Sequence, residues 1–188
     1  MNKVFFKIII LIIGCGNVAS SQINNNSNVE VLNSYFQTYS EVTDEFIVFD
    51  KVHKGLWDAE FELFEKRISD TIFQRKGTEF IILSKKEQLK LVKQIAESQR
   101  ESLTKNDLPS YAKLIKFEDP GYLSALRSNN NNIVFFISKP IKISTKDKYI
   151  FFEFAMYRGQ IIGTPTFQIY KKENDHYKQW SEIAFGAF

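Results

Sequence analysis

From Tyr149 to Tyr157 the chain alternates with a period of two. Ile150, Phe152, Phe154 and Met156 are all apolar, whereas Tyr149, Phe151, Glu153, Ala155 and Tyr157 mix polar and apolar character. That rhythm belongs to a β-strand with one face on a core and the other half wet. Polar punctuation on both sides extends the pattern. Ser144-Thr145-Lys146-Asp147-Lys148 reads as a turn before it, and Gly159 and Gly163 bracket a loop, Arg158 to Thr164, after it. Phe167 and Ile169 then alternate with Gln168 and Tyr170, and Glu173-Asn174-Asp175 turns the chain into a last strand, Tyr177 to Phe185. Ile133 to Phe185 is therefore predicted to be a meander of three or four antiparallel strands. Trp180 has the opposite parity to Ile183 and Phe185, which predicts a bulge or a switch of buried face. Pro140 and Pro165 are expected near strand ends, where a missing N–H costs least.

The N-terminal half carries a helical period instead. Val29, Leu32, Phe36 and Tyr39 form one stripe, which either continues towards Phe46 and Phe49 or breaks at Glu41-Val42-Thr43-Asp44. Trp57, Phe61, Phe64 and Ile68 form a second, with Glu60, Glu62, Glu65, Lys66 and Arg67 expected mostly on its solvated faces. Phe80-Ile81-Ile82-Leu83 has the continuous apolar run of a buried strand. Ser84-Lys85-Lys86-Glu87 after it fits a capping box, opening a helix that buries Leu91, Val92 and Ile95. Lys85, Lys86, Lys90 and Lys93, interleaved with Glu87 and Glu97, are expected on the wet side of that helix. Leu108-Pro109-Ser110-Tyr111 and Asp119-Pro120-Gly121 read as an irregular connection, and Asn129 to Asn132 as a flexible loop.

The first residues read as an export signal. Lys3 to Lys7 make a basic start, and Ile8 to Ile13 an apolar run too short to span a bilayer as a stable helix. Two cleavage routes compete. Ile12-Ile13-Gly14-Cys15 resembles a lipobox that would acylate Cys15, and Ala19-Ser20-Ser21 resembles an ordinary cleavage site before Gln22. Residues 1–21 are thus expected to be a signal segment, 22–28 a polar tether, and 29–188 one domain, a length sufficient for a proper core. The formal charge of +3 includes Lys3 and Lys7. Without them acids and bases nearly balance, which offers no footprint for nucleic acid. Cys15 is the sole cysteine, so an oxidising compartment gains the chain no disulfide.

Catalytic signatures are sparse. The two histidines, His53 and His176, have no second His or Cys at ligand spacing, so no metal or other cofactor is expected. Neither a G-x-S-x-G elbow nor a phosphate-binding glycine loop is present. Tyr149, Tyr157, Tyr170 and Tyr177 are expected to face outwards on the sheet, where aromatic rings either stabilise cross-strand pairs or stack on sugars. Tyr157 and Arg158, at the edge of the glycine-bracketed loop, are the candidate binding residues, because loops on a rigid sheet commonly carry function.

The strand-to-capping-box step Phe80–Glu87, Asp107-Leu108-Pro109-Ser110 and Ser138-Lys139-Pro140-Ile141 together resemble a group of small exported proteins and lipoproteins of Gram-negative bacteria. The resemblance covers roughly residues 60–182 and implies an α+β fold, an extracytoplasmic address and no particular activity. Members of that group often carry a cysteine before each loop glycine. Arg158 and Ile162 stand there in this chain, so no disulfide or metal role carries over.

The sequence therefore predicts an α+β domain, its N-terminal helices packed on one face of a C-terminal antiparallel meander. The expected function is that of an envelope-associated binding or accessory protein, not an enzyme. Its partner would be a protein or glycan of the envelope, with membrane contact only through a lipid on Cys15. A small secreted hydrolase acting on glycan or peptide is the alternative. A pocket converging a histidine with carboxylates would favour the hydrolase, and an exposed aromatic patch without one would favour the binder.

Overall fold

The computed structural model describes residues 27–41, 43, 45–52, 54–74, 76–118, 133–143, 147–157 and 160–184. Cys15 and the rest of the signal and tether up to residue 26, together with His53, Asp119-Pro120-Gly121, Asn129 to Asn132, Arg158 and Phe185, lie outside them. The described residues form a mixed α+β fold around a seven-stranded, mostly antiparallel sheet.

Helix α1 (residues 27–37) precedes β1 (Phe46–Phe49), α2 (Lys54–Arg67), β2 (Thr71–Phe73), β3 (Phe80–Ile82) and α3 (Lys85–Ser98). A short 3-10 turn at Lys105–Asp107 leads to β4 (Ala112–Ile115). The remaining strands are β5 (Ile133–Ile137), β6 (Ile141–Ile143), β7 (Lys148–Tyr157), β8 (Gln160–Glu173) and β9 (His176–Ala184). The sheet order is β4-β1-β5-β7-β8-β9, with β6 pairing the start of β7. β1 runs parallel to both β4 and β5, whereas every pair from β5 to β9 is antiparallel. The predicted meander is present, but two strands from earlier in the chain, β1 and β4, extend it. Phe46 and Phe49 sit on one of them rather than on a continued first helix, because residues 38–41 turn.

Helices cover both faces of the sheet, not one. On the first face the even side chains of β7, Ile150, Phe152 and Phe154, pack with Ile47, Phe136, Phe167 and Trp180 beneath Trp57 and Phe64 of α2 and Leu91 and Ile95 of α3. The rings of Phe136 and Phe154 stack at 4.4 Å, 3° from coplanar. On the second face the odd side chains Tyr149, Phe151 and Ala155 pack with Phe46, Phe135, Tyr170 and Tyr177 beneath Val31, Leu32, Tyr35 and Phe36 of α1. The face expected to be half wet is a second core, so Tyr149, Tyr170 and Tyr177 are buried rather than outward. Each such ring contributes about 1.5–3 kcal/mol through removal from water.

Local geometry follows the sequence in several places. Both halves of the Ser84–Glu87 capping box form. Asn174 and Asp175 take positive φ, 48° and 65°, as a two-residue hairpin turn requires. A register shift in the β8–β9 pairing leaves Trp180 without a partner opposite, so Trp180 and Ile183 join the same core. Pro165 lies inside β8 instead of at its end. It is tolerated because β7 passes from Glu153 to Ala155 while β8 passes from Thr166 to Ile162, leaving 163–165 as a bulge outside the ladder. The expected loop from Arg158 to Thr164 is largely strand, since Tyr157 already pairs with Gln160.

Three expectations fail for identifiable reasons. Glu60 is only 1% exposed, because it shares the face of Trp57 and Phe64 at spacings of three and four. The run Phe80–Leu83 is not a buried strand, since it pairs only with β2 in a two-stranded ribbon that buries Ile72 and Ile81 and turns Phe80 and Ile82 outwards. The stretch after Tyr111, read as irregular, is the edge strand β4, whose pairing with β1 is not encoded locally.

Candidate binding sites

The odd parity of β7 places Glu153 on the second face, between apolar neighbours that α1 covers. Across the ladder it faces Thr166, with Gln168 beside it. Its Oε2 accepts the Tyr35 hydroxyl at 2.7 Å, and Oε1 accepts from Thr166 Oγ1 at 3.1 Å and Gln168 Nε2 at 3.2 Å. Gln168 also donates to Thr166 and accepts from Gln179 Nε2, both at 2.8 Å. Burial raises the Glu153 carboxyl above its ordinary range, and the hydrogen bonds from Tyr35, Gln168 and Thr166 oppose that shift. Tyr35 is pushed well above the usual phenol value, by burial first and the Glu153 charge second. Tyr39 and Tyr170 rise mainly through burial.

This network floors a pocket of ≈ 380 Å³ lined by the end of α1, the turn after it and strands β7, β8 and β9. Thr38, Tyr39, Thr164, Gln179 and Glu182 complete its polar wall, with Ile162 and Ala184 as apolar patches, and among the described residues no Lys, Arg or His lines it. Hydroxyls and amides that both donate and accept suit an uncharged, hydroxyl-rich molecule. The two carboxylates in that lining, Glu153 and Glu182, disfavour an anion.

A second surface is the outer face of the β2–β3 ribbon. Phe73 is 67% exposed, Phe80 49% and Ile82 64%, and the two phenylalanine rings lie 6.3 Å apart. The ribbon is fastened to the sheet. Glu79 accepts from Trp180 Nε1 at 2.8 Å and pairs with Lys171 at 3.0 Å, and Ser181 Oγ donates to the Phe73 carbonyl at 2.9 Å. Those bonds hold the Glu79 carboxyl below its usual range.

Of the candidate binding residues Tyr157 and Arg158, only Tyr157 lies among the described residues. Tyr157 ends β7, opposite Ile133 and Gln160, and packs half-buried against the second core rather than lining the pocket. His176 is exposed at the start of β9. Among the described residues no three His, Cys, Asp or Glu side chains are grouped to hold a metal, and no helix is long and apolar enough to cross a membrane. Glu153 did have a sequence signal: it is the one acid inside an otherwise apolar and aromatic strand. Comparison with protein-family models, curated proteins and solved structures finds no match.

Proposed function

We propose that the protein is an extracytoplasmic, envelope-associated binding module, held by a lipid on Cys15 or released after Ser21, that takes an uncharged hydroxyl-rich ligand in the Glu153 pocket. The observation that carries this reading is the Glu153 network itself. A buried carboxyl with both oxygens committed to Tyr35, Thr166 and Gln168 fixes the orientation of those donors at the floor of an open, polar-walled pocket. Both carboxylate oxygens already accept hydrogen bonds, which suits a positioning role better than proton transfer. The Lys3–Ile13 sequence supports the address.

The test is calorimetric titration of the full chain with a panel of neutral mono- and disaccharides. Binding lost in Gln168→Leu supports the reading, and no saccharide binding overturns the ligand class. Mass spectrometry of the mature N-terminus from fractionated cells tests the address separately. A diacylated Cys15 in membranes or a free Gln22 in the medium supports it, and an intact Met1 in the cytoplasm overturns it.

A secreted hydrolase acting on glycan or peptide remains the second reading. Glu153, raised by burial, and Glu182 line the same pocket, and a pair of carboxyl groups is what glycosidic cleavage uses. Turnover of an aryl glycoside that is abolished in Glu182→Gln would favour it over the binder.

A further inference from the structure

Of the six large apolar side chains left exposed among the described residues, Phe73, Phe80 and Ile82 share the outer face of the ribbon, and a fourth, Leu89, lies on the second turn of α3. Register explains the first three, because Phe73 pairs with Phe80, and Ile82 sits two residues further along the same side. The structure spends hydrogen bonds to hold this face still. Besides the Trp180, Lys171 and Ser181 fastenings, Leu83 N–H donates to the Asp70 carbonyl and Gln88 Nε2 to the Ile68 carbonyl at 2.7 Å.

The segments next to this face carry exposed lysines. Lys76 lies in the ribbon turn, and Lys85, Lys86, Lys90 and Lys93 are exposed on α3 around Leu89. Nearby carboxylates are engaged: Glu87 turns back to the Ser84 N–H and hydroxyl, Glu79 binds Lys171 and Trp180, and Glu97 sits 3.8 Å from Lys93. Beside Phe80 an open cleft of ≈ 640 Å³ is lined by Lys148, Lys171 and Lys172 with Glu79 and Asp147. Lys171 also pairs with Glu173 at 3.6 Å and Lys172 with Asp175 at 3.8 Å.

We infer that the outer face of β2–β3 docks on an anionic lipid bilayer, with Phe73, Phe80, Ile82 and Leu89 at the acyl boundary and the neighbouring lysines among the headgroups. Apolar side chains beside exposed lysines are the chemistry of an interfacial anchor. Those lysines are complementary to lipid phosphate, and the rigid ribbon loses little conformational freedom on docking. This contact is additional to any acyl chain on Cys15 and independent of the Glu153 pocket, so neither reading falls with the other.

The test uses the full chain carrying Phe80→Trp, reconstituted in nanodiscs of phosphatidylcholine with or without phosphatidylglycerol, some lipids brominated near the headgroup end of the acyl chain. Emission of the added indole is read by difference from the parent chain. The expected result is a blue shift and roughly twofold quenching by bromolipid when phosphatidylglycerol is present, and clearly less in its absence or in high salt. Leu89→Trp should report the same, whereas Tyr111→Trp, which replaces a ring packed on Phe46 of the second face, should stay open to iodide. Adding Lys85→Glu, Lys86→Glu and Lys90→Glu should abolish the bromolipid signal. Indoles at 80 and 89 that stay open to iodide and untouched by bromolipid overturn the inference. So does a blue shift that appears without lipid and grows with protein concentration, which would assign the face to a second copy of the chain.

Discussion

The Tyr35 hydroxyl donates to a Glu153 carboxylate oxygen at 2.7 Å, joining positions 118 residues apart in the chain. Both groups are buried, so the bond ties α1 to the middle of the sheet through an interaction that water barely screens. Glu153→Ala would strand the Tyr35 and Gln168 donors and should cost about 3 kcal/mol, read from urea unfolding. Burial makes the folded carboxyl easier to protonate than the unfolded one, whose ordinary value is 4.5. Stability from this group is therefore greatest below that value and is lost as pH rises through the raised folded value. Glu153→Gln should flatten the slope without undoing the fold.

Glu60 should contribute a slope of the same sign. Burial raises its carboxyl while Arg67 opposes, and neither oxygen has a hydrogen-bond partner. An orphaned buried acid costs more than an apolar side chain of similar size. Glu60→Leu is expected to raise stability by about 1–2 kcal/mol at neutral pH. A lower unfolding midpoint would show that the carboxylate has a partner essential to the fold.

Phe151 and Phe152 distinguish a sheet covered on one face from one covered on both. Phe152 packs against Trp57 and Phe167, and Phe151 against Tyr35 and Tyr170. Either residue changed to Ala should cost about 3–5 kcal/mol. A wet second face would instead make Phe151→Ala nearly neutral.

Ser84→Ala removes a hydroxyl that accepts the Glu87 N–H at 3.4 Å and donates to the Glu87 carboxylate at 2.7 Å. About 1 kcal/mol should be lost, with amide exchange in the first turn of α3 rising ahead of that in the sheet. Glu87→Gln should lose less, since the amide oxygen still accepts the Ser84 N–H.

Trp180→Phe deletes the indole N–H that holds Glu79 and keeps most of the packing. Exchange of the Gln74 and Leu83 amides should accelerate, while β5 to β8 stay protected. Unchanged exchange in the ribbon would mean that Lys171 and Ser181 suffice to hold it.

What was legible in the sequence followed from short-range periodicity. The β7 alternation, the bulge at Trp180, the Ser84 cap and the Asn174-Asp175 turn are each written within a few residues, and each is in place. What was missed depends on partners far away in the chain. Nothing near Ala112 to Ile115 announces that β1 will lie alongside, and nothing in Tyr149, Phe151 or Tyr170 says that α1 will close over them. A half-polar strand face is ambiguous until its cover is known, which is why Glu153 read as a wet acid and the tyrosines as outward rings. The stretch Arg158 to Thr164, read as a functional loop, does contribute Ile162 and Thr164 to the pocket, whereas Tyr157 packs against the second core instead.

The parallel pairing of β1 also sets an order of assembly. Its four residues are all buried, yet both neighbours, β4 and β5, come after α3 in the chain. During synthesis α1, α2, the ribbon and α3 all emerge before β1 can find either flank, whereas β7, β8 and β9 need only adjacent hairpins. A nascent or translocating chain thus carries Phe46-Ile47-Val48-Phe49 as an unsheathed sticky segment until β4 and then β5 arrive, and that interval is when a holding chaperone would matter most.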